Sequence, residues 1–320
     1  MNQEIINWLL DGPVWVRFAV ESQLLDMNPT PRTALQDESI RTLIRRLKDE
    51  KIGIPGLKTG KVTWADTGNA YWDLFFLTDI GLTAPGMDLE DEIEEFFQLQ
   101  LPDGTFITED DHAANYFCVS GIFLSSVARA GYRNDARMAE YVGFILSTQQ
   151  PDGGWHCGDD HTSGGKYKGS ESCPMDNLNI LQLLGQYDEY RNDARFNGAF
   201  NLLFEHWRRR DERWRPSDFG IGKRFKTLEY PATKYGILRV LDVASLFPYA
   251  SATNGFMDML DFACQKSVGG KFSAESIHEA YSEFDFGQTK EPSRWITFLI
   301  ERIKKRAADS AANAGGSEFG

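Results

Sequence analysis

Two short strings constrain this chain more than anything else in it: Gln100-Leu101-Pro102-Asp103-Gly104-Thr105-Phe106 and Gln149-Gln150-Pro151-Asp152-Gly153-Gly154-Trp155. Each sets a glutamine and a Pro-Asp-Gly turn directly before an aromatic ring, and the two aspartates stand 49 residues apart. A weaker copy, Gln265 with Gly269-Gly270-Lys271-Phe272, follows near the end. The flanks repeat too. Gly81 precedes Gly104 by 23 residues and Gly131 precedes Gly154 by the same interval, each pair bracketing an apolar helical stretch. Arg133-Asn134-Asp135-Ala136-Arg137 returns letter for letter as Arg191-Asn192-Asp193-Ala194-Arg195, 58 residues later. Such self-similarity marks a repeat architecture, in which no unit buries its apolar face alone and neighbours stack into one continuous body.

Apolar residues recur at helical spacing over 37–48, where Ile40, Leu43, Ile44 and Leu47 share a face. Asp37 and Glu38 stand at the start and Arg45, Arg46 and Lys48 near the end, as a helix dipole favours. Residues 15–27 read as another helix. Beyond the turn at 51–56, each unit supplies two helices and a Gly-rich turn, over 64–106, 113–155, 173–225 and 231–272, and a last helix spans 292–306. Strand signals are nearly absent. The expected fold class is therefore all-α, with about five or six helical hairpins forming an open superhelix or closing into a ring. In a ring the inner helices are apolar on more than one side and surround a cavity. Phe75-Phe76-Leu77, Tyr116-Phe117-Cys118 and Ile122-Phe123-Leu124 suit that place, although ordinary core packing is the simpler account of any single one. One domain is expected over 1–306. Residues 307–320 are Ala-, Ser- and Gly-rich, end in a string resembling a cloning remnant, and are expected to form a disordered tail.

With 42% hydrophobic and 13% aromatic residues among 320, the chain buries a large core. Its net charge of -13 argues against general nucleic-acid binding, which needs a basic surface. Residues 1–7 lack the basic start and apolar core of a secretory signal, and no run is long enough to span a membrane, so a cytoplasmic location is expected. There the four cysteines, at 118, 157, 173 and 264, stay reduced and form no disulfide framework.

A glutamine followed by Asp-Gly-Gly-Trp after an apolar helix resembles the QW repeat of squalene and hopene cyclases, which share an α/α toroid with the β subunits of protein prenyltransferases. The likeness is strong at Gln149 to Trp155, fair at Gln100 to Phe106 and weak at Gln265 to Phe272. It is closest to short, single-toroid, prenyltransferase-like bacterial proteins. The resemblance implies structural roles for Gln100, Phe106, Gln149, Asp152, Gly154 and Trp155: the Gln side chain and the ring tie an outer helix to its neighbour. A fold signal of this kind does not define the reaction.

The Asp-x-Asp-Asp acid of hopene-type cyclases is missing. Its nearest counterpart is Glu109-Asp110-Asp111-His112, just ahead of Tyr116. Crowded carboxylates in an enclosed site favour holding one of them protonated, so Asp110, Asp111 and His112 are the expected catalytic acid and base; capping a helix N-terminus is the alternative for both aspartates. Aspartate-rich magnesium motifs are also missing, which disfavours diphosphate ionisation. In His156-Cys157-Gly158-Asp159-Asp160-His161, followed by Cys173, thiols and imidazoles suit zinc, with Cys157, His161 and Cys173 as expected metal ligands and buried core thiols as the alternative. The order differs from that of the prenyltransferase zinc site. No nucleotide cofactor is expected, since the Walker spacing is absent. In a basic island, Arg208 to Arg215 read as a salt-bridged turn with Asp211 and Glu212, while Lys223, Arg224 and Tyr230, with Tyr116 and His156, are expected ligand-binding residues.

These features support an enzyme acting on an apolar, isoprenoid-derived small molecule in an aromatic-lined cavity, by acid/base or zinc-assisted lyase, cyclase or transferase chemistry. The alternative is a non-catalytic toroid that binds or scaffolds.

Overall fold

The computed structural model describes residues 2–50, 52–54, 66–107, 117–156 and 171–316. Among these residues no β-strand forms, and only isolated bridges such as Gln100 with Phe106 and Phe272 with Ser293 occur outside the helices. The fold is all-helical. Its helices begin with α1 (Gln3–Leu10), α2 (Val14–Gln23), α3 (Glu38–Asp49), α4 (Tyr71–Asp79) and α5 (Ala84–Met87). They continue with α6 (Glu90–Phe97), α7 (Phe117–Val127), α8 (Ala136–Ser147), α9 (Pro174–Leu184) and α10 (Asp188–Arg191). Then come α11 (Asn197–Arg208), α12 (Ile237–Ala244), α13 (Pro248–Ser251), α14 (Asn254–Cys264) and α15 (Arg294–Gly316). No described helix is long and apolar enough to cross a membrane.

The chain groups into two compact units, Leu43–Ile221 and a second made of Met1–Thr42 with Gly222–Gly320. In Leu43–Ile221 two kinds of helix alternate. Every residue of α4 and α9 is buried, as the near-continuous apolar runs require of helices covered on all sides. By contrast α6, α8 and α11 are amphipathic. In α8, for example, Met138, Tyr141, Val142 and Ile145 are buried at the i, i+3, i+4 and i+7 positions. Asp135 caps that helix by accepting from the Arg137 amide at 2.9 Å, and Glu90, Asp91 and Glu92 set negative charge on the first turn of α6.

Helix α7 lies against both α4 and α9. Its Phe123 meets Tyr71 of α4 edge-on at 6.4 Å and Phe96 of α6 at 4.9 Å, while the hydroxyls of Ser120 and Tyr141 lie 2.6 Å apart. Toward α9 the backbones nearly touch: a Cβ on Gly121 would lie 2.8 Å from the Asn179 carbonyl oxygen, and Asn179 Nδ2 donates to the Phe117 carbonyl at 3.2 Å. Buried charges on α4 are paired, Asp73 with Arg46 at 2.5 Å and Asp79 with Arg129 at 3.3 Å, which offsets their desolvation.

In the other unit the first helices of the chain pack on the last. Helices α1 and α2 contact α15, which also contacts α12. Arg294 Nε donates to the Trp8 carbonyl at 3.1 Å, and Arg302, 2% exposed, reaches Asp242 at 2.8 Å and the Gln23 side chain at 2.9 Å. Trp15 is ringed by Phe284, Phe286 and Trp295 at 5.3–6.2 Å. Helix α15 runs ten residues past the expected end at 306, because Ala307, Ala308, Ala311 and Ala312 are strong helix formers.

Candidate functional site

The two Pro-Asp-Gly turns have the same construction. Gln100 Nε2 donates to the carbonyls of Gly104 (2.9 Å) and Arg137 (2.8 Å), and Gln149 Nε2 donates to those of Gly153 (2.7 Å) and Arg195 (2.9 Å). The two sequence echoes are thus partners: each repeated glutamine binds the last residue of the Arg-Asn-Asp-Ala-Arg string that follows it. In both strings the aspartate bonds to its own arginine, through that residue's amide and side chain, and this holds Asp135 and Asp193 below the usual carboxylate range. The rings act as wedges. Phe106 stacks on Phe96 of α6 at 4.6 Å and meets Tyr141 of α8 at 6.0 Å. Trp155, fully buried, donates its indole N–H to the Ile145 carbonyl of α8 at 3.0 Å and lies 6.0 Å from Phe196 at the start of α11.

The glycine register differs from the even spacing of 23. Gly104 (φ +87°) matches Gly153 (φ +88°), the two positions where the turn needs a left-handed backbone. Gly154 answers to Thr105 and has another task. In the first turn Asp103 accepts from the Thr105 amide (3.0 Å) and hydroxyl (2.6 Å), which lowers its pKa. In the second there is no hydroxyl at 154, and Asp152 accepts instead from Ser172, through the hydroxyl at 2.6 Å and the amide at 2.8 Å. A Cβ on Gly154 would lie 2.6 Å from both Ser172 Oγ and Asn177 Oδ1. Asn177, in turn, accepts from the Trp155 amide at 2.7 Å.

Beside this turn opens a cavity of about 290 Å³, lined among others by Asp152, Ser172, Asn177, Leu202, Glu205 and Trp214. The Trp214 indole donates to Glu171 at 3.2 Å, and Arg209 lies 4.4 Å over its ring. Arg208 bonds to Glu205 and holds that carboxyl below its ordinary range. The Asn177 Nδ2 is buried and meets no acceptor among the described residues.

Of the residues expected to carry chemistry, Asp110, Asp111, His112, Tyr116, Cys157 and His161 lie outside the described residues. Cys173 is half-buried at the start of α9, and its amide donates to the Trp155 carbonyl at 2.8 Å, next in the chain to the buried His156. Among the described residues no group of three or more His, Cys, Asp or Glu assembles to hold a metal. Elsewhere, Arg224 bonds to Glu229 and to Ser276 Oγ (2.6 Å), and Tyr230 is buried against Phe286 and Trp295 at 5.0 and 5.5 Å. Lys223 begins a short 3-10 turn, Lys223–Lys226. Arg208 and Arg209 pair with Glu205 and Glu212, a salt-bridged turn.

Sequence reasoning missed Ser172, Asn177, Trp214 and His206. Ser172 follows the crowded string that drew attention, and its signal was the threonine lacking at 154. His206 is buried between Trp214 and Phe219, and that burial pushes its pKa down to about 4. No protein-family model matches this chain, and no curated protein matches it.

Proposed function

We propose that this chain is an α/α toroid enzyme of the squalene-cyclase-like and prenyltransferase-like kind, acting in the cytoplasm on an apolar, isoprenoid-derived small molecule. The ring reading is supported by the alternation of fully buried and amphipathic helices in Leu43–Ile221, and by the packing of α1 and α2 on α15 in the other unit. The observation that carries the functional half is the contact between the two helices that follow the chemistry-bearing strings in the sequence. Residues 109–115 lead into α7 and residues 156–171 lead into α9, two neighbouring helices in backbone contact at Gly121, and each string leaves from a glutamine-anchored turn. Helix N-termini favour carboxylates, and aromatic faces on α4 and α7 suit cationic intermediates.

The test offers purified protein squalene and prenyl alcohols of graded length and follows products by mass spectrometry. Turnover that disappears in Asp111→Asn and His112→Ala, with helical circular dichroism unchanged, is the expected result. If the folded protein binds none of these molecules saturably, the substrate class is wrong and the non-catalytic toroid takes its place.

A zinc reading is favoured by one contact, the Cys173 amide on the Trp155 carbonyl, which brings the Cys173 backbone next to that of Trp155 and His156. A zinc there would activate a water or thiol. Metal analysis of the purified protein decides it: near-stoichiometric zinc, lost together with Cys173→Ser, is expected, and only traces would end this reading.

A further inference from the structure

The third turn inverts the charge of the other two. Asp103 and Asp152 stand three residues before Phe106 and Trp155, and the same place before Phe272 holds Gly269. The residue just ahead of the ring, Thr105 and Gly154 in the first two turns, is Lys271. Gly269 (φ +59°) and Gly270 (φ +78°) close a tight hairpin between Val268 and Lys271, whose backbones bond at 2.9 and 3.1 Å. Phe272 is buried, while Lys271 stays half-buried with its ammonium 4.7 Å over the ring of Trp8 in α1.

A second cation shares that ring. The Arg294 guanidinium lies 4.6 Å from its centre and is held from behind: Nε donates to the Trp8 carbonyl at 3.1 Å, and the stem fills the space beside Gly12, where a Cβ would collide with Arg294 Cδ. The first amides of α15 are not part of this site, since Asp285 takes those of Arg294 and Trp295 at 3.0 and 2.8 Å and the Ser293 hydroxyl at 2.6 Å. Other cations of the same unit have carboxylates: Lys266 has Glu275, Lys304 has Glu301 and Lys305 has Asp26. Lys271 and the terminal nitrogens of Arg294 have none among the described residues. Trp8, Lys271 and Arg294 are all half-buried, so each keeps surface in water.

Like charges drawn to one indole repel each other, and an anion that reaches both replaces the repulsion with two attractions. The number of its oxygens decides the class. A carboxylate has two, which the guanidinium fork alone saturates. A phosphate monoester has three and carries about −1.5 to −2 charge at pH 7, so it takes the fork and the ammonium together.

We infer that Lys271 and Arg294, set against Trp8, form a binding site for a phosphate monoester group. The site lies wholly within the unit of Met1–Thr42 and Gly222–Gly320 and stands whether or not the proposed reaction does.

The test titrates the purified full chain by calorimetry with inorganic phosphate and methyl phosphate, and measures by flotation its uptake on phosphatidylcholine vesicles with and without phosphatidic acid. Saturable binding of the soluble phosphates is expected, weakened about tenfold or more by Lys271→Ala and by Arg294→Gln. Should Arg294→Gln fail to fold, Lys271→Ala on the hairpin decides. Lys48→Ala, an equal loss of charge in the other unit, is expected to leave binding unchanged. Uptake confined to phosphatidic acid vesicles and lost in Lys271→Ala keeps the site and makes a lipid headgroup its source. The inference is overturned if neither soluble phosphate nor phosphatidic acid binds, if Lys271→Ala leaves binding intact, if Lys48→Ala weakens it equally, or if acetate binds as tightly as phosphate.

Discussion

Replacing Gln149 tests whether the turn is held by the side-chain amide itself. Its Nε2 makes bonds of 2.7 and 2.9 Å to the carbonyls of Gly153 and Arg195, and each is worth about 1 kcal/mol net. Gln149→Ala therefore removes about 2 kcal/mol from the unit Leu43–Ile221, which at that size lowers its Tm by roughly 4–8 °C. Gln149→Glu keeps the shape but aims a carboxylate at two carbonyl oxygens, so at pH 7 it costs at least as much. That arrangement raises the introduced group's folded pKa above its unfolded value. Stability recovered through it is fully present below the unfolded pKa, about 4.3, and is lost as pH rises through the folded pKa. The gap between Gln149→Glu and the parent therefore narrows as pH falls. Urea unfolding followed by circular dichroism from pH 4 to 8 measures both effects. A Gln149→Glu variant within about 0.5 kcal/mol of the parent at pH 7, or a gap that ignores pH, would refute the reasoning.

Gly154→Ala forces a Cβ to within 2.6 Å of Ser172 and Asn177 and is expected to cost about 1–3 kcal/mol, read by thermal unfolding. His206 has its pKa lowered to about 4 by burial, so the stability tied to its neutral form is present above about pH 6.5 and lost as pH falls toward 4. Across that window the parent is expected to lose about 3 kcal/mol relative to His206→Leu, measured as paired urea midpoints. Arg302→Ala removes a buried guanidinium with its bonds to Asp242 and Gln23 and leaves Asp242 to Arg306, with an expected loss of about 1–3 kcal/mol by the same assay.

The repeat was legible because its chemistry is local. A glutamine four residues before the carbonyl it binds, and an aspartate capping its own arginine, leave their mark within a few letters of sequence. The pairing of Gln149 with Arg195 was legible only as an unexplained second echo, since nothing in the strings says that one repeat grips the other. Ser172 left only an indirect mark, the threonine lacking at 154. Its role depends on a hydroxyl missing 18 residues earlier, a substitution between distant positions that only the fold brings together. Arg224 shows the converse: its charge and its place ahead of Tyr230 suggest an anchor for a ligand, and the fold adds a pairing with Glu229, five residues on, that the charge alone does not reveal.

The unit that joins Met1–Thr42 to Gly222–Gly320 places a timing constraint on biosynthesis. A ribosome adding about 5–20 residues each second needs roughly 10–40 s to translate the intervening residues 43–221. Throughout that interval Trp15 lacks Phe284, Phe286 and Trp295, and α2 lacks α15, since those residues do not yet exist. The interposed unit is the first able to complete itself, and the opening helices wait as exposed apolar surface. Chaperone dependence and aggregation during expression are therefore expected to concentrate in the first 42 residues, and to fall when those residues are made last, in a rearranged chain that begins at Leu43.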